Sequence, residues 1–123
     1  MKKMSKFKFS YDKENDDLFL FNPNCKSKGS VELGDIILDY DNKKELVGLQ
    51  IMNASQLIKE MLFEETVDSV AGVLNNLKEC KVETRSKNNV LIVKIYLFST
   101  KRKISPVISL PTIREQSPAL AYA

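Results

Sequence analysis

In the middle of the chain Ala54, Leu57, Ile58, Met61 and Leu62 recur at i, i+3, i+4, i+7 and i+8, the apolar stripe of an amphipathic helix. On both sides of that stretch the period changes to two, as it does in strands with one buried and one wet face. Two changes of period, with short polar turns between the alternating runs, constrain the chain to an α+β fold built from antiparallel hairpins. Its 123 residues suit one core. We read residues 1–113 as a single domain and residues 114–123, which lack a clear period, as a loosely held tail.

The first half predicts a four-stranded antiparallel meander. Phe7, Phe9 and Tyr11 alternate with Lys6, Lys8 and Ser10, and the turn-forming run Asp12 to Asp16 leads directly into Leu18 to Phe21, which together predict a hairpin. Asn22 to Gly29 reads as a loop. Asp35 to Tyr40 and Leu46 to Met52 form the next pair of strands around the polar turn Asp41 to Lys44, with Val47, Leu49 and Ile51 on one face. That face needs a cover, and the helix after Asn53 supplies it. Asn53 is positioned to cap this helix, with Gln56 three residues later completing a reciprocal box.

A second helical pattern starts at Thr66 as cap and uses Val67, Val70, Ala71, Leu74 and Leu77. Gly72 and the valines weaken it. One or two helices are therefore followed by a second antiparallel set of about three strands. Val82, Thr84 and Ser86 alternate with Lys81, Glu83 and Arg85, while Val90 to Phe98 is apolar on both faces apart from Lys94, as in an interior strand. Ile104, Ile108 and Leu110 continue the alternation past Pro106, which places the last strand at an edge, since proline has no donor for a ladder.

The segments Tyr11 to Phe21, Asp35 to Asp41 and Leu46 to Ser55 read YDKENDDLFLF, DIILDYD and LVGLQIMNAS. In that order and spacing they resemble the prokaryotic family known as domain of unknown function twenty-two eighty-three, over about residues 7–58. Its pattern is YDxxxDxLY, then VILDYD, then LVGIEILNAS. Here Phe19 stands where the family usually has tyrosine, and Gln50 where glutamate is common. The resemblance implies a small α+β fold, supplies no catalytic residues, and brings an antitoxin expectation from members encoded beside small ribonuclease-like toxins.

Several chemistries are disfavoured. The chain has no histidine, which removes triads built on it and the usual physiological general base. Cys25 and Cys80 lack metal or redox-pair spacing, so free thiols in a reducing, cytoplasmic setting are expected. No signal peptide or membrane-spanning run is seen. The four glycines form no phosphate cradle, and no cofactor is expected. Asp12, Glu14, Asp16 and Asp17, with Asp39 and Asp41, are the densest acidic set. They lack the glycine and glutamate of a calcium loop and read as solvated turns, leaving metal-assisted hydrolysis a third possibility.

Charge is segregated. From Asp12 to Glu65 there are six lysines against twelve acids, a net of −6; from Lys78 to Arg114, nine cations against two acids give +7. Complementary surfaces of this kind predict a non-enzymatic interaction module that self-associates or docks a small protein partner. The alternative is a nucleic-acid-binding protein that uses Arg85, Lys87, Lys101, Arg102 and Lys103, since clustered cations release counterions from a phosphate backbone.

Overall fold

β1 (Lys2–Asp12) belongs to two halves of one sheet. Its first part, Lys2 to Phe7, pairs with β6 (Leu77–Lys87), and its second part, Lys8 to Asp12, pairs with β2 (Asp17–Phe21). The structure is a computed structural model and describes residues 2–64 and 66–111; the tail expected at 114–123 lies outside the described residues. On the β2 side follow β5 (Leu46–Ile51), β4 (Ile36–Tyr40) and β3 (Gly29–Leu33); on the β6 side follow β7 (Val90–Ser99), then β8 (Lys103–Ile104) and β9 (Val107–Pro111) along one edge. Each of these pairings is antiparallel. Helices α1 (Ala54–Leu62) and α2 (Val67–Leu74) connect the halves, so the fold is α+β, with strands, helices and further strands in the expected order.

The first half contains one strand more than its alternation suggests. β3 lies just past the stretch read as loop, sharing only Gly29 with it, in residues given no element before Asp35; four of its five residues are exposed, so it carries no burial rhythm to detect. The hairpin series β3-β4-β5 then lays β5 beside β2, pairing Leu49 with both Leu20 and Leu38. Val47, Leu49 and Ile51 are buried as expected. Between Asp39 and Tyr40 the register shifts, and the Asp39 side chain lies across Gly48. A Cβ at Gly48 would stand 2.8 Å from Asp39 Oδ2 and 3.2 Å from its Cβ, so any side chain here must displace Asp39.

One continuous core joins both halves of the sheet to the helices. Leu18, Leu20 and Leu49 from one half meet Val93, Ile95 and Leu97 from the other, with Ile58, Val70 and Leu74 closing one end. Each such side chain stabilises the fold by about 1.5–3 kcal/mol when fully buried. On the last edge Pro106 separates β8 from β9 while its carbonyl still accepts from Ile95 N–H. The edge position expected for the proline-containing strand is the one found.

The helix caps divide. Thr66 caps α2 as expected, accepting from Ser69 N–H at 3.2 Å, but Leu77 has left the helix for β6. Asn53 does not cap α1. It adopts a left-handed conformation, φ 52°, and makes no side-chain cap bond. The cap comes instead from the β1–β2 turn: the Asp16 carboxylate accepts from Ser55 N–H at 3.1 Å and from Ser55 Oγ at 2.6 Å, while the Asp16 carbonyl accepts from Ala54 N–H at 2.8 Å. Tyr11 Oη donates to the same carboxylate at 2.5 Å. A residue distant in sequence thus satisfies the donors that a helix start leaves open.

Candidate functional site: a lysine-framed aromatic platform

Alternate residues of β7 face opposite ways, so the buried Val93, Ile95 and Leu97 leave Lys94, Tyr96 and Phe98 on the outer side. Antiparallel register sets their neighbours. Lys81 lies opposite Tyr96, Glu83 opposite Lys94, and Glu79 opposite Phe98, while β8 brings Lys103 opposite Phe98 from the other side. The rings of Tyr96 and Phe98 are nearly parallel, 12° apart in plane with centroids 6.4 Å apart. Lys94 Nζ lies 5.0 Å from the Tyr96 centroid, Lys81 Nζ 5.8 Å from that of Phe98, and Lys103 Nζ 5.9 Å from both. These are cation–π distances.

Glu83 anchors this surface. Alternation alone places it in water, yet it is 5% exposed, because Tyr96 and Arg85 close over it. Tyr96 Oη donates to Glu83 Oε1 and Arg85 Nε donates to Glu83 Oε2, both at 2.7 Å. These two donors satisfy the buried carboxyl group, and in return it fixes the tilt of the Tyr96 ring. The result is a half-buried aromatic surface with lysine ammonium groups over its rings. Aromatic faces stack on bases and neighbouring cations contact phosphates once they swing off the rings.

Of the five cations singled out from the sequence, Lys103 and Arg85 are on this surface. Lys87 stands at the far end of β6, and Lys101 is exposed in the turn after β7. Arg102 turns toward the helices instead: Nη1 donates to Glu64 Oε1 at 2.8 Å and Nη2 to Ser69 Oγ at 2.6 Å. Sequence reasoning missed Lys81, Lys94, Tyr96, Phe98 and the role of Glu83. The signal was available in the turn after Ser99, which sets Lys103 beside Phe98 once the hairpin is counted residue by residue.

The other sequence candidates are tied into local structure. Asp12 accepts from Asn15 Nδ2 and from the backbone N–H groups of Asn15 and Glu14, which hold its carboxyl below the ordinary value. Among the described residues no group of three or more Cys, Asp or Glu is placed to hold a metal ion. Both cysteines are free, Cys25 exposed and Cys80 buried; burial, and then Glu79, push the Cys80 thiol up to about 12. Among the described residues no helix is long and apolar enough to cross a membrane.

Comparison with known proteins places the first half in context. The chain is 34% identical over 100 residues to an uncharacterised protein of Methanocaldococcus jannaschii, covering 80% of each chain. It is 31% identical over 90 residues, 72% of this chain and 66% of its relative, to a Methanosarcina mazei protein provisionally named hypoxanthine phosphoribosyltransferase. No solved structure matches. Residues 8–55 match the family described as protein of unknown function (DUF2283). That segment starts where β1 turns to pair with β2 and stops at Ser55, the residue that Asp16 holds, whereas the platform lies beyond it. On these matches the chain belongs to the DUF2283 family.

Proposed function

We propose that this protein binds single-stranded nucleic acid on the outer face of β6, β7 and β8, in the cytoplasm and without catalysis. One observation carries the reading: two nearly parallel rings, Tyr96 and Phe98, with three lysine ammonium groups within 6 Å of their centroids. Lysine stems lying over rings also keep an exposed sheet face soluble, and titration separates the two roles. Fluorescence anisotropy with labelled twelve-nucleotide oligouridine and oligothymidine should show binding that weakens as salt rises, with a log–log slope near −2 for about three phosphate contacts. Phe98→Ala should weaken it roughly tenfold, the ordinary loss of one stacked base. Absence of binding at low salt, or a Phe98→Ala variant as tight as the parent, refutes the proposal.

A second reading, an interaction module that meets a second copy or a small protein partner, is favoured by Phe63. This residue ends α1 in a left-handed conformation, φ 53°, where its N–H and that of Glu64 close the last turn onto Glu60 and Lys59. Glycine is the ordinary occupant of such a position. Phe63 is 93% exposed, so no internal packing explains it, and an aromatic anchor for a protein surface does. Inhibition of a toxin-like partner is one form this would take. Sedimentation velocity of the parent and Phe63→Gly tests self-association; two equally monomeric species would count against it, and native co-purification of the pair tests a different partner.

A further inference from the structure

The sheet has two edges, and they are built differently. Along one, β8 and β9 share the rim of β7 but are parted by Pro106; β8 is two residues long and β9 ends in Pro111. Short edge strands and prolines deter pairing with another chain. β3, at the other edge, has neither guard. It runs from Gly29 to Leu33 in regular register with β4, and among the described residues it is paired on that side only. Its free side presents N–H and C=O groups to solvent. Val31 and Leu33 lie opposite the buried Leu38 and Ile36, so they face the core side of the sheet. With no strand beyond it, Leu33 nevertheless stays 40% exposed.

We propose that β3 pairs antiparallel with β3 of a second copy of this chain, about a two-fold axis at Val31, joining two sheets into one. A two-fold contact must be self-complementary, and this strand is. The axis sets Val31 against the partner's Val31 and Leu33 against the partner's Gly29, where no side chain obstructs it. On the outer face Ser30 meets the partner's Glu32, and Lys28 lies diagonal to that same carboxylate, twice by symmetry. Lys28 and Glu32 are exposed, and among the described residues neither enters an ion pair. An axis at Glu32 would instead oppose two carboxylates, which is unfavourable. The contact uses neither Phe63 nor the aromatic platform, which lies across the sheet on β7, so it stands or falls apart from both.

Sedimentation velocity of the full chain over a concentration series should show a monomer–dimer equilibrium with Kd on the order of 10–100 μM, as suits a contact below the standard interface size. Glu32→Lys and Lys28→Glu should each weaken it roughly tenfold, and the two combined should return it to within about threefold of the parent, because the exchanged charges complement each other again. Circular dichroism reports the folding of each variant. In a Cys25→Ser background, Val31→Cys should form an intermolecular disulfide on mild oxidation, since residues facing each other across such an axis have Cα atoms about 4.5–5.5 Å apart, within disulfide reach. Glu32→Cys in the same background should not. A monomer throughout, a dimer unmoved by the charge exchanges whether or not Phe63→Gly dissolves it, or cross-linking at position 32 in place of 31 overturns the proposal.

Discussion

Replacing Asp16 by alanine removes the junction between the β1–β2 turn and α1, and its cost can be worked out bond by bond. The cap on Ser55 N–H is worth about 1 kcal/mol. Ser55 is 5% exposed, so its Oγ loses an acceptor where water cannot replace it, which costs about 1–2 kcal/mol. Tyr11 Oη, half-buried, adds a few tenths because it can turn toward solvent. Alanine also tolerates the φ of 55° at this position less well than aspartate does, by up to about 1 kcal/mol. The expected loss is about 2–4 kcal/mol, read as a shift in urea midpoint at unchanged slope, or roughly 8–16 °C in melting temperature for a chain of this size. Asp16→Asn keeps the turn conformation and one acceptor oxygen and should lose about half as much. A loss below about 0.5 kcal/mol for the alanine variant would show that the bonds at Asp16 contribute little net stability.

Three further outcomes are expected. Gly48→Ala drives a methyl group into Asp39 and should destabilise by about 1–3 kcal/mol, with most of the loss recovered in the Asp39→Ala background; a double-mutant cycle in urea measures the coupling. Phe63→Gly relieves the left-handed backbone strain at the end of α1 and should raise stability by about 0.5–1 kcal/mol, a gain that thermal unfolding detects. Under alkaline conditions the protein should weaken in stages. Burial, then the bond to Asp16, raise Tyr11, burial raises Tyr40, and burial and then Glu79 raise Cys80 to about 12. Each favours the protonated, folded form, so its contribution is whole below the unfolded value, near 8.5 for cysteine and 10 for tyrosine, and is lost as pH climbs through the folded one. Urea midpoints from pH 8 to 11 check this, and Tyr11→Phe should flatten the fall above about pH 10.

Much of the fold is legible in the residues because burial imposes a rhythm. The stripe from Ala54 to Leu62 and the buried trio Val47, Leu49 and Ile51 were readable for that reason. β3 was not, since an edge strand with four exposed residues obeys no such rhythm. The α1 cap was misassigned to Asn53 because local spacing cannot reveal a cap supplied by a turn thirty-nine positions earlier. Phe98 and Lys103 were each visible in the sequence, but their union depends on hairpin register. Glu83 misled in another way: strand period fixes the face of a side chain but not whether an aromatic neighbour covers it. Arg102, one of three consecutive cations, was drawn off to Glu64 and Ser69 by the helices, which no count of charges reports.

The divided pairing of β1 also bears on synthesis. As the nascent chain leaves the ribosome, Lys8 to Asp12 finds β2 within a few residues, yet the stretch before it must wait for β6, since Phe7 is matched with Cys80. Until then the amino-terminal half of this strand offers unsatisfied N–H and C=O groups to any passing chain. Its lysines, Lys3 and Lys6, act as gatekeepers, repelling like neighbours during that interval. A fragment that begins with β1 and ends at Ser55 would keep the exposed template permanently, and is expected to aggregate where the whole chain does not.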